Sequence, residues 1–268
     1  GSVLMVPGDA SAATATVGES GTSVAAEALA SSLVLAILLP PSEGKAPGGS
    51  DPGWEPDSGR FGTKLADGRQ AVADALGAAG GGSPKLLGVK EGPALDRARE
   101  ANMSLIGAPT RPAWQRFTGV VWDHFDPAGF TAAERRKVSR RVFVISALAG
   151  VSALDDPLPD FRLKLSVSLA PLGKLSTWWS PSLSEVLNDH LAGREVVDLL
   201  PQEHRAAWKP DADRYALHRV TLVRPDGSNA GHHAKAGKGL LTRALLESVD
   251  PERTLATWRH PELRVRVD

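Results

Sequence analysis

The sequence contains no cysteine. This absence excludes disulfides, thiolate metal sites and cysteine nucleophiles together, and it is compatible with a reducing compartment. Aromatic residues are also scarce at 5% of the 268 residues, with one Tyr beside six Phe and seven Trp. An extended aromatic surface for stacking many bases is therefore not indicated.

The chain also lacks a net charge, because 31 Lys and Arg balance 31 Asp and Glu. No global basic field indicates nucleic acid, so any such binding must come from a local patch. The apolar run at 33–39 is far too short to span a bilayer, and we expect no membrane partner. No Lys or Arg precedes Lys45, so the basic region of a secretory signal is missing.

The first 32 residues are rich in Ala, Ser, Thr, Gly and Val. Gly1 and Ser2 resemble the remnant of an expression tag, and the rest of 1–32 is predicted to be a flexible extension. Residues 33–268 are long enough for one large domain, and an apolar content of 42% supports a substantial core.

Buried strands and helices alternate along the chain. The pattern predicts an α/β (mixed α+β) single domain with a central, mostly parallel sheet, flanking helices and a C-terminal hairpin. Thr131 and Glu134 have the spacing of a capping box. Strands are predicted at 33–39, 117–122, 142–146, 196–200, 216–223 and 232–235, and helices at 65–79, 131–141, 174–191, 202–208 and from 240 onwards.

A polar loop follows the first buried strand. It carries Ser42, Glu43 and Lys45 after Pro40 and Pro41. In open α/β sheets ligands gather at the carboxyl ends of strands, so these side chains are candidate ligand contacts. The alternative is an ordinary surface loop.

A glycine-rich basic segment lies near the C-terminus. Lys235, Lys238 and Arg243 surround two glycines where a strand is predicted to become a helix, a place that favours anions. It is not a P-loop, because His232 stands where that motif needs Gly and Gly239 where it needs Ser or Thr. The alternative is a glycine-rich corner with solvated lysines.

Short helical pieces flank a Gly-containing turn at 86–95, which includes Lys90. This is the pattern of a helix-hairpin-helix, whose turn amides can hold a DNA phosphate, or of a plain αα-corner. Trp178 and Trp179 either pack in the core or form a wall that stacks a planar ring. Glu203 and His204 begin a helix after the strand at 196–200.

Three segments together resemble the YaaA family of bacterial peroxide stress proteins. They are Pro-Pro-Ser-Glu-Gly-Lys at 40–45, the segment from Ser146 to Lys164, and Ala-Lys-x-x-Lys-Gly with Arg243 at 234–243. The resemblance covers about residues 34–262. The chain departs from the family by having Ala149, Phe161 and His204 where the family has Tyr.

The resemblance implies a YaaA-like domain in which these segments converge on one positively lined cleft. It further implies a cytoplasmic protein that limits oxidative damage and binds double-stranded DNA without sequence preference. Because three Tyr are missing, a divergent enzyme of specialised metabolism is the alternative. It would act on a small planar or anionic ligand such as a nucleobase.

The two hypotheses assign different residues. The anion or DNA contacts would be Ser42, Lys45, Lys90, Arg162, Lys164, Lys235, Lys238 and Arg243. In the enzyme, Glu43 or Glu203 would act as acid or base and Trp178 or Trp179 would stack the ring. A metal site built from His204, His218, His232 and Glu203 is a third hypothesis, but the sequence has no local metal-binding spacing. We predict no metal and no cofactor.

Overall fold

A central six-stranded sheet organises the computed structural model, which describes residues 35–268. Its strands are β1 (Leu35–Leu39), β4 (Val142–Ser146), β5 (Gly150–Ala153), β9 (Glu195–Asp198), β10 (Ala216–Val223) and β11 (Arg264–Val267). They lie side by side in the order β11-β10-β9-β1-β4-β5. Neighbours β1 and β4, β1 and β9, and β9 and β10 are parallel, whereas β4–β5 and β10–β11 are antiparallel.

The interior strands β1 and β4 are hydrophobic because both faces of the sheet are covered there. Every residue of β1 and of β4 is buried. Such continuous apolar runs are typical of parallel strands between helical layers, and the predicted α/β fold is confirmed. Two smaller sheets flank the main one, formed by β2 (Ser50–Gly53), β3 (Pro109–Pro112) and β6 (Pro157–Leu158), and by β7 (Ser168–Leu169) and β8 (Gly173–Lys174).

Helices cover the central sheet, and none within residues 35–268 is both long and apolar enough to cross a membrane. The predicted capping box at Thr131 and Glu134 is confirmed, with both of its hydrogen bonds formed. The helices are α1 (Gly62–Ala78), α2 (Pro84–Leu87), α3 (Pro93–Met103), α4 (Ala113–Arg116), α5 (Val120–Phe125), α6 (Ala132–Val138), α7 (Leu175–Leu191), α8 (Gln202–Arg205), α9 (His233–Glu247) and α10 (Pro251–Thr257), with a 3₁₀ turn at Pro127–Gly129.

Two buried arginines hold the long segment between β1 and α1. Arg116 donates to the carbonyl oxygens of Leu158 (3.1 Å) and Gly48 (2.8 Å). Arg69 donates to those of Ala149 (3.0 Å), Val151 (3.0 Å), Pro56 (3.1 Å) and Ser58 (2.6 Å). Each guanidinium replaces the water that these carbonyls would otherwise need, so the segment is anchored to the sheet.

The strand predicted at 117–122 is wrong. Phe117 makes only an isolated bridge with Lys45, and the chain then enters α5. Gly119 adopts a φ of 89° immediately before the helix, and the Asp123 amide donates to the Gly119 carbonyl (2.8 Å). A short apolar run does not distinguish a buried strand from a buried helix. Here the turn at Gly119 is followed directly by a helix.

The second strand predicted at 232–235 is also wrong. That segment opens α9, and the antiparallel partner of β10 is instead β11, which pairs Val220 with Val267. Two helices separate β10 from β11 in the chain, so the C-terminal pairing is not a tight hairpin. The extension predicted at 1–32 lies outside the described residues.

A cationic cleft as the candidate functional site

A cleft of about 540 Å³ lies at the carboxyl ends of β1 and β9. The chain passes from β1 to β4 on one side, whereas β9 leads to β10 on the other. The boundary between β1 and β9 is therefore the topological switch point, where ligands bind in open α/β sheets. The cleft is lined by 40–45, 118–122 and 162–166 together with Ala147, Pro201, Glu203, His204, Lys235 and Lys238.

The loop after β1 is held by its own polar groups. The Ser42 hydroxyl donates to the Gly44 carbonyl and accepts from the Thr118 amide (2.9 Å). The predicted contact residue Ser42 therefore joins this loop to the turn before α5. Its hydroxyl orders the rim of the cleft.

Lys45 is half-buried in the wall of the cleft. Its Nζ donates to the carbonyl oxygens of Ser42 (2.9 Å) and Glu43 (3.5 Å) and lies 4.2 Å from the centre of the Phe161 ring. Burial, together with the positive charge of Arg162, lowers the pKa of Lys45 to about 7. Among the residues described, no carboxylate forms a salt bridge with this ammonium group.

Glu43 bridges two cations at the mouth of the cleft. Its carboxylate lies 3.0 Å from Arg162 Nη2 and 3.0 Å from Lys164 Nζ. The hydrogen bond from Lys164 holds the pKa of this carboxyl below its usual range, so Glu43 is ionised at neutral pH. A carboxylate that is paired in this way orients its two partners, and it is a weak proton acceptor.

Arg162 is positioned from behind by the buried Asn102. The Asn102 side chain accepts from the Arg162 amide (2.9 Å) and donates to the Arg162 carbonyl (2.8 Å). Arg162 Nε also donates to the Leu87 carbonyl at the end of α2 (3.2 Å). A Cβ added at the next residue, Gly88, would lie 3.1 Å from Lys164 Nζ. The turn between α2 and α3 therefore adjoins the cleft.

Lys235 and Lys238 reach the cleft from α9. Lys238 Nζ donates to the Leu199 carbonyl just after β9 (2.6 Å). Burial lowers the pKa of Lys238 to about 8, and Arg205 adds to the shift. Lys238 therefore links α9 to the sheet, while Lys235 lies in the first turn of the helix, where the helix dipole favours an anion.

The glycines of this segment serve packing rather than a turn. Both lie inside α9. A Cβ at Gly239 would lie 2.3 Å from the Val121 carbonyl oxygen, and one at Gly237 would lie 2.4 Å from Leu263 Cδ1. The expected strand-to-helix turn is therefore corrected: glycine lets α9 lie directly against α5, which carries part of the cleft wall.

His204 lines the cleft as a buried imidazole. Burial lowers the pKa of His204 to about 4, and the nearby charge of Lys238 acts in the same direction. The ring is therefore neutral at neutral pH. Its Nδ1 lies 3.6 Å from Glu203 Oε1 and makes no hydrogen bond. The alternative enzyme hypothesis assigned Glu203 a role, but it left out the imidazole beside it.

Four predicted contact residues are absent from the cleft lining. Arg243 pairs with Glu247 (2.5 Å) and lies over the Phe130 ring, 3.9 Å from its centre. Trp179 is fully buried and donates to the Ala147 carbonyl (2.8 Å), and Trp178 packs edge-on against it. Lys90 is exposed on the turn between α2 and α3.

The metal hypothesis is not supported within residues 35–268, where no group of three or more His, Asp or Glu side chains can hold an ion. His218, one of its proposed ligands, lies 3.1 Å from Glu195 on neighbouring strands.

Several lining residues were missed by the sequence argument. Residues 118–122 were placed in a strand, and Ala147, Leu163, Leu165 and Ser166 carry no charge that would mark them. Ala147 follows the carboxyl end of β4, so the rule that identified the first loop also applies there. The other segments are brought in by long connections that have no local pattern.

Comparison with known proteins places the chain among a group of bacterial sequences. The family described as "Peroxide stress protein YaaA" matches residues 35–262. A UPF0246 protein of Streptomyces coelicolor is 35% identical over 217 residues, covering 78% of this chain and 82% of that protein. A UPF0246 protein of Corynebacterium glutamicum is 34% identical over 216 residues, with coverages of 78% and 84%. A Streptococcus pyogenes relative is 22% identical over 162 residues, with coverages of 57% and 65%.

Proposed function

The chain belongs to the peroxide stress protein YaaA family, and from this premise we propose that its cationic cleft binds a small anionic ligand and acts on it. The family suggests a peroxide stress-related role. The observation that carries the proposal is a cleft at the switch point with five Lys or Arg side chains and two Glu in its lining.

The size of the cleft favours a small ligand. A volume of about 540 Å³ lies within the range of roughly 300–1,000 Å³ that is usual for small-molecule sites. Apolar side chains of Val120, Val121 and Leu165 complete the lining. A few polar groups among apolar walls suit a ligand that has an anionic group and a planar or apolar body.

The cationic side chains of the cleft differ in whether a carboxylate already pairs with them. Arg162 and Lys164 are paired through Glu43 at the mouth, so an incoming anion would compete with that carboxylate. Lys235 has no salt bridge among the described residues and lies at the start of α9. We assign Lys235 and Lys164 to the anion, and Glu43 to positioning the cations.

Double-stranded DNA is a second candidate ligand, and one specific observation favours it. The turn between α2 and α3 adjoins Arg162 and Lys164 through the Leu87 carbonyl and Gly88. Backbone amides of such a turn and the two cations would be able to contact neighbouring phosphates. The helix-hairpin-helix role of this element stays a prediction, because α2 is only four residues long.

The first probe is a small phosphate compound, and its binding is measured by isothermal titration calorimetry. Pyridoxine 5′-phosphate supplies a planar ring and an anion, and pyridoxine is its uncharged control. We expect the phosphate to bind and pyridoxine not to bind. Lys235→Ala should weaken phosphate binding about tenfold, since a charge-assisted hydrogen bond contributes on the order of 1.5–3 kcal/mol. Lys209→Ala, an exposed lysine outside the cleft, should leave binding unchanged.

A short DNA duplex is the second probe. If DNA is the ligand, its affinity should fall steeply with salt because bound phosphates release counterions. Duplex binding that is lost in Lys90→Ala, combined with no binding of pyridoxine 5′-phosphate, would refute the small-ligand proposal and favour DNA.

A further inference from the structure

We propose that Lys45 is a nucleophile that forms an imine with the aldehyde or ketone group of an anionic carbonyl compound in the cleft. This inference rests on the proposed function, because the neighbouring cations would hold the anionic group of the same ligand. It extends that function by naming a reaction type and a substrate class.

The first observation is where the amine lies. Lys45 lines the cleft, so a bound ligand can reach its side chain. Nζ lies close to two aromatic rings, 4.2 Å from the centre of Phe161 and 5.7 Å from that of Phe117. The rings shield part of the amine from water, as desolvated lysine nucleophiles require.

The second observation is the hydrogen bonding of the amine. Within the described part of the chain, Nζ donates to two acceptors, the carbonyl oxygens of Ser42 and Glu43. A neutral amine has two N–H donors and one lone pair, so these two acceptors satisfy it and leave the lone pair free. An ammonium group would carry a third N–H with no oxygen acceptor among these residues, and only the face of the Phe161 ring lies close to it.

The third observation is the charge around the amine. Glu43 pairs with Arg162 and Lys164 and forms no salt bridge with Lys45 among the described residues. Burial first, then the positive charges of Arg162 and Arg116, lower the pKa of Lys45 to about 7, against the opposing negative charges of Asp160 and Glu43. A cation beside a buried lysine is one of the ways in which such nucleophiles are activated.

The reaction balances without an oxidant or a reductant. The lone pair of Nζ attacks the carbonyl carbon, the C–N bond forms, and one amine proton passes to the carbonyl oxygen to give a carbinolamine. The C–O bond then breaks, and the oxygen takes the second amine proton and leaves as water. The product is an imine between Nζ and the former carbonyl carbon.

Another lysine of the cleft provides an internal comparison. Lys238 is also half-buried, but its Nζ donates to the Leu199 carbonyl at 2.6 Å, and its pKa is lowered only to about 8. We expect it to react more slowly than Lys45. Lys209 is exposed and serves as the reference for an ordinary lysine.

The experiment uses pyridoxal 5′-phosphate as the probe, because it joins an aldehyde to a planar ring and a phosphate. The full chain is mixed with the probe over a series of pH values. Imine formation is followed by its visible absorbance, and borohydride then fixes the adduct for peptide mass spectrometry. We expect Lys45 to be modified at neutral pH at least about tenfold faster than Lys209, because about half of its amine is neutral there.

The pH profile and two variants complete the test. Modification of Lys45 should rise with pH and reach half of its maximum near pH 7. Lys45→Arg should lose the fast adduct, because a guanidinium group does not form an imine under these conditions. Lys235→Ala should slow the fast phase about tenfold, by weakening the hold on the phosphate.

The outcomes separate the two proposals. If Lys45 reacts no faster than Lys209 while pyridoxine 5′-phosphate still binds, the nucleophile is refuted and the small-anion site stands. If pyridoxine 5′-phosphate neither binds nor slows the labelling of Lys45, the small-anion site is refuted. The pH profile is measured on the parent protein, so the test does not depend on the folding of a variant.

Discussion

Replacing Gly239 with alanine should destabilise the protein and disturb the cleft together. In an exposed helix this change would stabilise by about 1 kcal/mol, since alanine is the better helix former. Here the added Cβ would lie 2.3 Å from the Val121 carbonyl oxygen, 2.7 Å from the Phe125 amide nitrogen and 2.8 Å from His124 Cβ. Two of these atoms are backbone, so they cannot rotate away and α9 must move off α5.

The magnitude follows from these opposing effects. Overpacking of this kind costs about 1–3 kcal/mol and occasionally more, and the close backbone contact places Gly239→Ala at the upper end. After subtracting the gain in helix propensity, we expect a net loss of about 2 kcal/mol in the free energy of unfolding. Gly77→Ala is the matched control, because Gly77 lies in α1 and a Cβ there meets nothing within 4 Å. It should be neutral or stabilising by up to about 1 kcal/mol.

Urea denaturation of the parent and both variants measures these differences. A second readout is the affinity for pyridoxine 5′-phosphate, which should also fall in Gly239→Ala because α5 and α9 both line the cleft. If Gly239→Ala is as stable as Gly77→Ala, the close contact between the helices does not exist as described. The glycine would then have to be explained by the turn that the sequence suggested.

Other changes test the interior and the charges. Arg69→Met should lower the free energy of unfolding by about 3 kcal/mol or more, because four backbone carbonyls lose their donor, whereas exposed Arg97→Met should change it little in the same denaturation assay. Lys45 has a folded-state pKa of about 7 and an unfolded value of about 10.4, so the unfolded chain binds the additional proton between these pH values. Stability of the parent relative to Lys45→Met should therefore rise by about 2–4 kcal/mol from pH 7 to pH 10, and a flat difference would contradict the buried amine. Glu43→Gln removes a negative charge beside Arg162, so duplex affinity measured by gel retardation should rise if DNA is the ligand; an unchanged affinity would count against DNA contact at the cleft.

The central sheet could be predicted from the sequence because its strands carry their own pattern. The strand at 142–146 has the predicted bounds, and so does the one at 216–223, while β1 ends at the predicted residue, Leu39. Continuous apolar runs with proline or glycine at their ends identify such strands without tertiary information. The polar loop at Ser42–Lys45 lines the cleft, as expected of a loop that follows the carboxyl end of a strand, while its contact with a ligand stays a prediction.

The predictions from local sequence patterns were wrong where contacts between distant segments determine the structure. Gly239 looked like a turn residue, but its role is contact with α5, which is distant in the sequence. The run at 117–122 is short and apolar, so its pattern fits a buried strand and a buried helix equally well. His204 was considered only as a metal ligand, because nothing in its neighbourhood indicates that the imidazole is buried beside Lys238.

Anomalous diffraction from crystals soaked in tungstate shows whether a small anion binds inside the cleft. Tungstate mimics phosphate, and its heavy atom locates the anion without reference to any assumed ligand. We expect an anomalous peak within the cleft, in contact with Lys235 and Lys164, that is lost in Lys235→Ala. Peaks confined to the outer surface, with none between Lys235 and the loop that carries Lys45, would contradict it.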